Sequence, residues 1–225
     1  MLTEEEIDMN RFTHHGWLTF CLLAAGMGQA LAHSADEHAG HNTPPAKTQE
    51  SAQVKFADVA LMDQTGKAVS LEKDLISNKI VVMSFIYTSC TTVCPVVSSI
   101  MGKVQKQLGA RVGKEVQLVS ISIDPQRDDP KRLSEYARNF QNGPGWSWLT
   151  GTPQSVTETL KGLGTFSGDF KNHAPLIMVG DGNSRHWTRY YGFTDPTVLT
   201  REVEKLSGQR NIHAKHTAIA MEVQP

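Results

Sequence analysis

Two hydrophobic periods alternate along the chain. Ile80-Val81-Val82-Met83-Ser84-Phe85-Ile86-Tyr87 is nearly continuously apolar and β-branched, the pattern of a central strand covered on both faces, and Val116-Gln117-Leu118-Val119-Ser120-Ile121-Ser122-Ile123 repeats it. Between them Val97, Ile100, Met101, Val104 and Leu108 recur at helical spacing. Pro95 suits the first turn of that helix, because its missing N–H would be unpaired there. After Asp124-Pro125, Leu133, Tyr136, Ala137 and Phe140 mark a second amphipathic helix. Trp146-Ser147-Trp148-Leu149 is a short strand, and Thr152-Pro153 opens a helix along Val156, Leu160 and Leu163. Pro175-Leu176-Ile177-Met178-Val179 is again a strand, Gly180-Asp181-Gly182 a turn, and residues 185–193 its antiparallel partner. Asp195-Pro196 caps a last helix with Leu199, Val203 and Leu206 inward. Upstream, residues 56–71 read as a hairpin that turns at residues 63–66.

Alternating strands and helices with a final hairpin and helix predict an α/β domain over residues 54–207. Its expected form is a thioredoxin-like three-layer fold with a central mixed sheet and an N-terminal β-hairpin extension, the active loop lying past the carboxyl end of a central strand. Residues 33–53 have no hydrophobic period and read as a flexible leader containing His33, His38 and His41, and residues 208–225 as a tail. Residues 1–32 read as a cleavable signal. Met9 is a better start than Met1, whose acidic sequel suits export poorly, and the apolar run from Trp17 ends in Ala30-Leu31-Ala32, a small-x-small cleavage site. The run is shorter than the ~20 residues of a membrane span, so a periplasmic product is expected, with an uncleaved membrane anchor as the alternative. Cleavage after Ala32 would let the new amine and the His33 ring chelate one Cu(II) between them.

The 225 residues, 39% hydrophobic content and formal charge of −1 suit one globular domain with extensions and point to neither nucleic acid nor anionic membrane. Removal of the signal takes away Cys21, leaving Cys90 and Cys94 as the remaining cysteines of three.

Those two occupy the break between the central strand and the helix begun at Pro95. Cys94 sits at the helix N-terminus, whose partial positive charge favours an anionic sulfur, so one or both thiols should ionise more easily than free cysteine. One turn of helix-like backbone brings their Cα atoms to roughly 6 Å, within reach of a disulfide. The pair can be a dithiol, a disulfide or two arms of a metal site. A permanent structural disulfide is the weaker reading, since so short a loop gains little chain entropy.

Nine histidines are present, and within the folded domain only His173 immediately precedes a core strand. In a thioredoxin-like layout the loop before that strand faces the cysteine loop. His173 is therefore either a third ligand completing a Cys₂His set suited to Cu(I) or Cu(II), or a surface histidine bonded to nearby backbone.

Tyr87-Thr88-Ser89-Cys90-Thr91-Thr92-Val93-Cys94-Pro95, then Val119 to Asp128 with its Ser122-Ile123-Asp124-Pro125-Gln126-Arg127-Asp128, then Leu149-Thr150-Gly151-Thr152 and His173, resemble the Sco/SenC family over about residues 54–206. The resemblance implies a thioredoxin-fold copper protein that helps assemble the binuclear copper centre of cytochrome c oxidase. It implies Cys90 and Cys94 as sulfur ligands and redox pair, and His173 as imidazole ligand. Asp124 and Asp128 match the family's acidic segment, which either shapes the loop or caps the following helix.

The leading expectation is thus a monomeric periplasmic metallochaperone that passes copper to the copper-bearing oxidase subunit or to another periplasmic copper chaperone. The alternative is a thiol-disulfide oxidoreductase that reduces partner cysteines and does not need His173. A peroxidase of the same fold would want a lone cysteine in a polar pocket rather than a close pair.

Overall fold

The computed structural model describes residues 48–168, 173–184 and 186–222. The signal segment, Cys21, His33, His38 and His41 lie outside them.

Strand β4 (Ile80–Ile86) is buried along its whole length, as its unbroken apolar run requires. It pairs parallel with β5 (Val116–Ser122) and antiparallel with β7 (Leu176–Asp181). Strand β6 (Trp146–Thr150) continues the sheet parallel to β5, and β8 (His186–Tyr191) continues it antiparallel to β7. The expected hairpin, β2 (Ala60–Asp63) and β3 (Ala68–Ser70), joins the sheet through β2 on β6. The far edge is β1 (Gln49–Gln53) against β8, giving the order β1-β8-β7-β4-β5-β6-β2-β3.

Strand β1 corrects the assignment of residues 33–53 wholly to a flexible leader. Its sequence, Gln-Glu-Ser-Ala-Gln, buries only Ala52 and carries almost no hydrophobic signal. It is ordered by backbone pairing with β8, and by Glu50, which accepts from the Tyr191 hydroxyl and the Arg189 guanidinium.

The helices cover both faces of the sheet. On one, α1 (Val93–Leu108), α2 (Pro130–Arg138) and α4 (Pro196–Glu222) pack Val97, Met101, Leu133 and Val203 onto Ile80, Val82, Ile86 and Trp148. On the other, α3 (Pro153–Gly162) packs Val156 and Leu160 with Met83, Phe85 and Ile121. Each such aliphatic side chain contributes about 1.5–3 kcal/mol when fully buried. Asp129, not Asp128, caps α2 by accepting from the Arg132 N–H at 2.8 Å, and Thr152 caps α3 through the Ser155 N–H at 3.0 Å.

Helix α4 corrects the expected tail. It runs through Gly208 to Glu222, because one glycine costs a helix only about 1 kcal/mol and Arg210 anchors the continuation to Asp181 and to the Asn78 carbonyl. No helix among the described residues is long and apolar enough to cross a membrane.

The loop into β6 depends on Gly145, whose φ of 84° is left-handed and whose added Cβ would lie 2.2 Å from the Gly113 nitrogen. Gly145→Ala should therefore cost on the order of 3 kcal/mol, combining backbone strain with a clash against main chain that has no side-chain freedom to yield. Thermal unfolding checks this; an unchanged midpoint would mean the loop relaxes freely.

Candidate functional site

Parallel pairing of β4 with β5 sets their carboxyl ends side by side, with Ile86 opposite Ser122, and the ladder extends one bond further as the Ile123 N–H donates to the Ile86 carbonyl at 2.8 Å. The cysteine loop leaving β4 and the Asp124–Asp128 loop leaving β5 are consequently neighbours. Asp128 is 1% exposed and its carboxylate accepts from the Thr88 N–H at 2.9 Å, the Thr88 hydroxyl at 2.5 Å and the Ser122 hydroxyl at 2.7 Å. Its carbonyl accepts from the Thr150 hydroxyl at 2.6 Å. Of the two readings of the acidic segment, Asp128 follows the loop-shaping one: it ties the backbone two residues before Cys90 to the sheet. Asp124, also buried, pairs with Arg127 at 2.9 Å.

Cys90 ends a turn closed by its own N–H on the Tyr87 carbonyl at 3.2 Å, and Cys94 is the second residue of α1. Both are free thiols, exposed by only 6% and 4%. The Cys90 sulfur faces the helix start and accepts from the Cys94 N–H at 3.4 Å. The two thiols therefore do not share the helix-end effect equally. Burial by itself pushes Cys90 up, but the Cys94 N–H, the Cys94 thiol, the Thr92 backbone and the Tyr87 hydroxyl all favour its thiolate and bring it down to about 6. Cys94 is pushed up to about 12 by burial, by its hydrogen bond to Cys90 and by the negative charges of Cys90 and Asp128. Tyr87 is itself raised to about 12 by burial and by that same hydrogen bond to Cys90. Sequence reasoning missed Tyr87 as part of the thiol environment; a phenol closing an apolar strand beside the cysteine loop was the available signal.

His173 precedes β7, whose antiparallel register puts Ile177 opposite Ser84 and so brings the imidazole to the same end of β4 as the thiols. Its ring tilts against Phe85 at 5.8 Å between centroids, and burial lowers its pKa, favouring the neutral, ligating form. Phe85 belongs to the α3 face of the sheet, whereas both cysteines pack with Ile86 and Val97 on the α1 face. The structure thus brings Cys90 and Cys94 together and holds His173 across the strand end from them. Among the described residues, no three His, Cys, Asp or Glu side chains cluster to hold a metal ion. His173 and Asp124 line a cavity of about 270 Å³ walled by Ile123, Val156, Leu160 and Phe166. A larger cleft of about 870 Å³ lies at the far end of α1, around Lys103, Lys106 and Lys114, with no thiol or imidazole on its walls.

A thioredoxin-like sheet that presents two thiols four residues apart, one beyond a central strand and one in the first turn of the following helix, defines a dithiol protein able to exchange disulfides or hold a soft metal. The SCO1/SenC family model matches residues 47–208, and the chain belongs to that family. It is 38% identical over 97 residues to a SCO1 protein homolog of Bacillus subtilis, covering 43% of this chain and 49% of the relative. The match thus spans about half the length of that relative. Among solved structures it is similar to BsSco, described as a member of the Sco family of cytochrome c oxidase assembly proteins and as having a disulfide switch (TM-score 0.60, 25% identity, 71% of this chain and 96% of that one). It is similar also to Bradyrhizobium japonicum ScoI with copper bound (TM-score 0.57, 25% identity, 67% and 98%).

Proposed function

We propose that this protein is a copper chaperone for assembly of the cytochrome c oxidase copper centre, exported to the periplasm by residues 1–32 and carrying copper on Cys90, Cys94 and His173. The observation that carries the reading is geometric: the Cys90 sulfur accepts from the Cys94 N–H at the start of α1, and the His173 imidazole lies beyond the same end of β4. Two thiolates and an imidazole make a soft, three-donor set that suits Cu(I) and can be given up by ligand exchange. Cys90 offers a thiolate already, and the charge of the bound cation would draw the proton from Cys94, since a coordinating thiol is deprotonated outright. His173 would complete the set by passing from the Phe85 side of the strand end to the sulfurs. Kinship to BsSco and to copper-loaded ScoI supports this assignment.

Anaerobic copper titration tests it. Cys90→Ser and Cys94→Ser should each abolish tight binding. His173→Ala should weaken it by at least the roughly 10–100-fold that even outer-shell changes cause, while leaving disulfide chemistry intact. Unchanged Cu(I) and Cu(II) affinities in His173→Ala would remove the imidazole from the ligand set.

The unequal thiols favour a second reading, a thiol-disulfide reductant. The Cys90 thiolate would attack a partner disulfide, forming a mixed disulfide and releasing one partner thiolate, which takes a proton. Cys94, losing its proton, would then attack Cys90, releasing the second partner thiolate and leaving a Cys90–Cys94 disulfide. That chemistry does not use His173, so the same variant separates the two readings.

A further inference from the structure

Past Arg210, helix α4 continues with every side chain from Asn211 to Thr217 exposed, and Ile212 is 58% exposed. His213 and His216 both lie in this stretch. Residues three apart on an α-helix are neighbours on one face, roughly 5–6 Å apart at Cβ, so the two imidazoles can turn their ring nitrogens onto one point above the helix. We propose that His213 and His216 form a second metal site, a two-imidazole clamp for a borderline divalent cation and Cu(II) above all.

The neighbouring side chains leave room for a cation there. Gln209, one turn before His213, is uncharged, and Lys215 lies roughly 200° around the helix from His213 and roughly 100° from His216. Arg210, three residues before His213, is turned to the sheet: its Nε donates to an Asp181 oxygen at 2.6 Å and an NH group donates to the Asn78 carbonyl at 3.0 Å. Its charge is thus matched by a carboxylate on β7. Two cis imidazole nitrogens fit a tetragonal Cu(II) ion whose other positions are filled by water, and Cu(II) heads the affinity order for divalent metals at nitrogen sites. Neither thiol is involved, so the site neither needs nor supports the copper reading of Cys90 and Cys94. Bound metal would bridge one turn of helix and stabilise the helical form of this exposed end by mass action.

The test is Cu(II) titration of the full chain carrying Cys90→Ser and Cys94→Ser, with paramagnetic resonance to count coordinated nitrogens. His213→Ala and His216→Ala should each lose one bound Cu(II) per chain and the signal of two coupled nitrogens. In the His216→Ala background, Thr217→His restores a same-face pair with His213 at four-residue spacing and should restore both; Lys215→His places the ring on another face and should restore neither. Unchanged stoichiometry and signal in the two alanine variants would overturn the proposal. So would equal rescue by Lys215→His and Thr217→His, which would show scattered binding to exposed histidines.

Discussion

Near pH 7.5, iodoacetamide should modify Cys90 roughly 30–100 times faster than Cys94. Two effects oppose each other. With Cys90 near 6 and Cys94 near 12, Cys90 is almost wholly thiolate while only about one Cys94 in 10⁴–10⁵ is. Against that, a more basic thiolate is intrinsically the better nucleophile, with a Brønsted slope of about 0.4–0.5, which returns roughly 10²–10³ to Cys94. The population term wins. Mass spectrometry after brief alkylation across a pH series reads both the order and the midpoint. The Cys90 rate should rise as pH climbs toward about 6 and then level off, because the folded protein binds that proton less tightly than a free thiol does. Cys94 reacting first, or a Cys90 midpoint near the ordinary thiol value, would sink the assignment of Cys90 as attacker. In Cys90→Ser, Cys94 loses the hydrogen bond and negative charge that raise it, so its own alkylation should begin at lower pH than in the parent.

The second large effect concerns Asp128. Asp128→Ala removes the acceptor of three donors, the buried Ser122 hydroxyl and the backbone N–H and hydroxyl of half-buried Thr88, at a carboxylate that is itself 1% exposed. A buried donor left unsatisfied costs about 1–3 kcal/mol, and because neighbouring losses do not simply add, the sum should be about 3–5 kcal/mol. For a domain of this size that lowers the melting midpoint by on the order of 10 °C. Asp128→Asn keeps the volume and one carbonyl acceptor and should lose less. Both variants also remove a negative charge that helps hold Cys94 protonated, after burial and its hydrogen bond to Cys90, so Cys94 should alkylate faster in each. A purely structural role elsewhere in the fold would lower stability without changing the ratio of the two thiol rates. An Asp128→Ala protein with the parent's melting point would show that the cysteine loop is held by something else.

These expectations rest on features of differing visibility. The strands β4, β5 and β7 are written in continuous apolar runs, because burial on both faces leaves no room for polar residues, and α1 is written in the spacing from Val97 to Leu108. The thiol loop is visible too, since two cysteines between such elements have few structural alternatives. Strand β1 was not visible, because an edge strand is held by backbone hydrogen bonds that any sequence can make. Neither was the end of α4, where Gly208 suggests a stop and a distant Asp181 supplies the anchor that carries the helix past it. The acidic segment was half-legible: its residues stood out, but three successive carboxylates serve different ends, Asp124 pairing with Arg127, Asp128 holding Thr88 and Asp129 capping α2.

What the sequence determined by itself is therefore the central strands, the cores of the helices that cover them and the presence of two thiols at a helix start. These follow from local pattern, because strand and helix periods and the helix dipole act over neighbouring residues. Only the tertiary structure decided which sulfur is the thiolate, which aspartate secures the loop, and that His173 rests against Phe85 across the strand end from the thiols. Those outcomes depend on hydrogen bonds and charges between segments far apart in the chain, and such fields are set by where the sheet register puts each group.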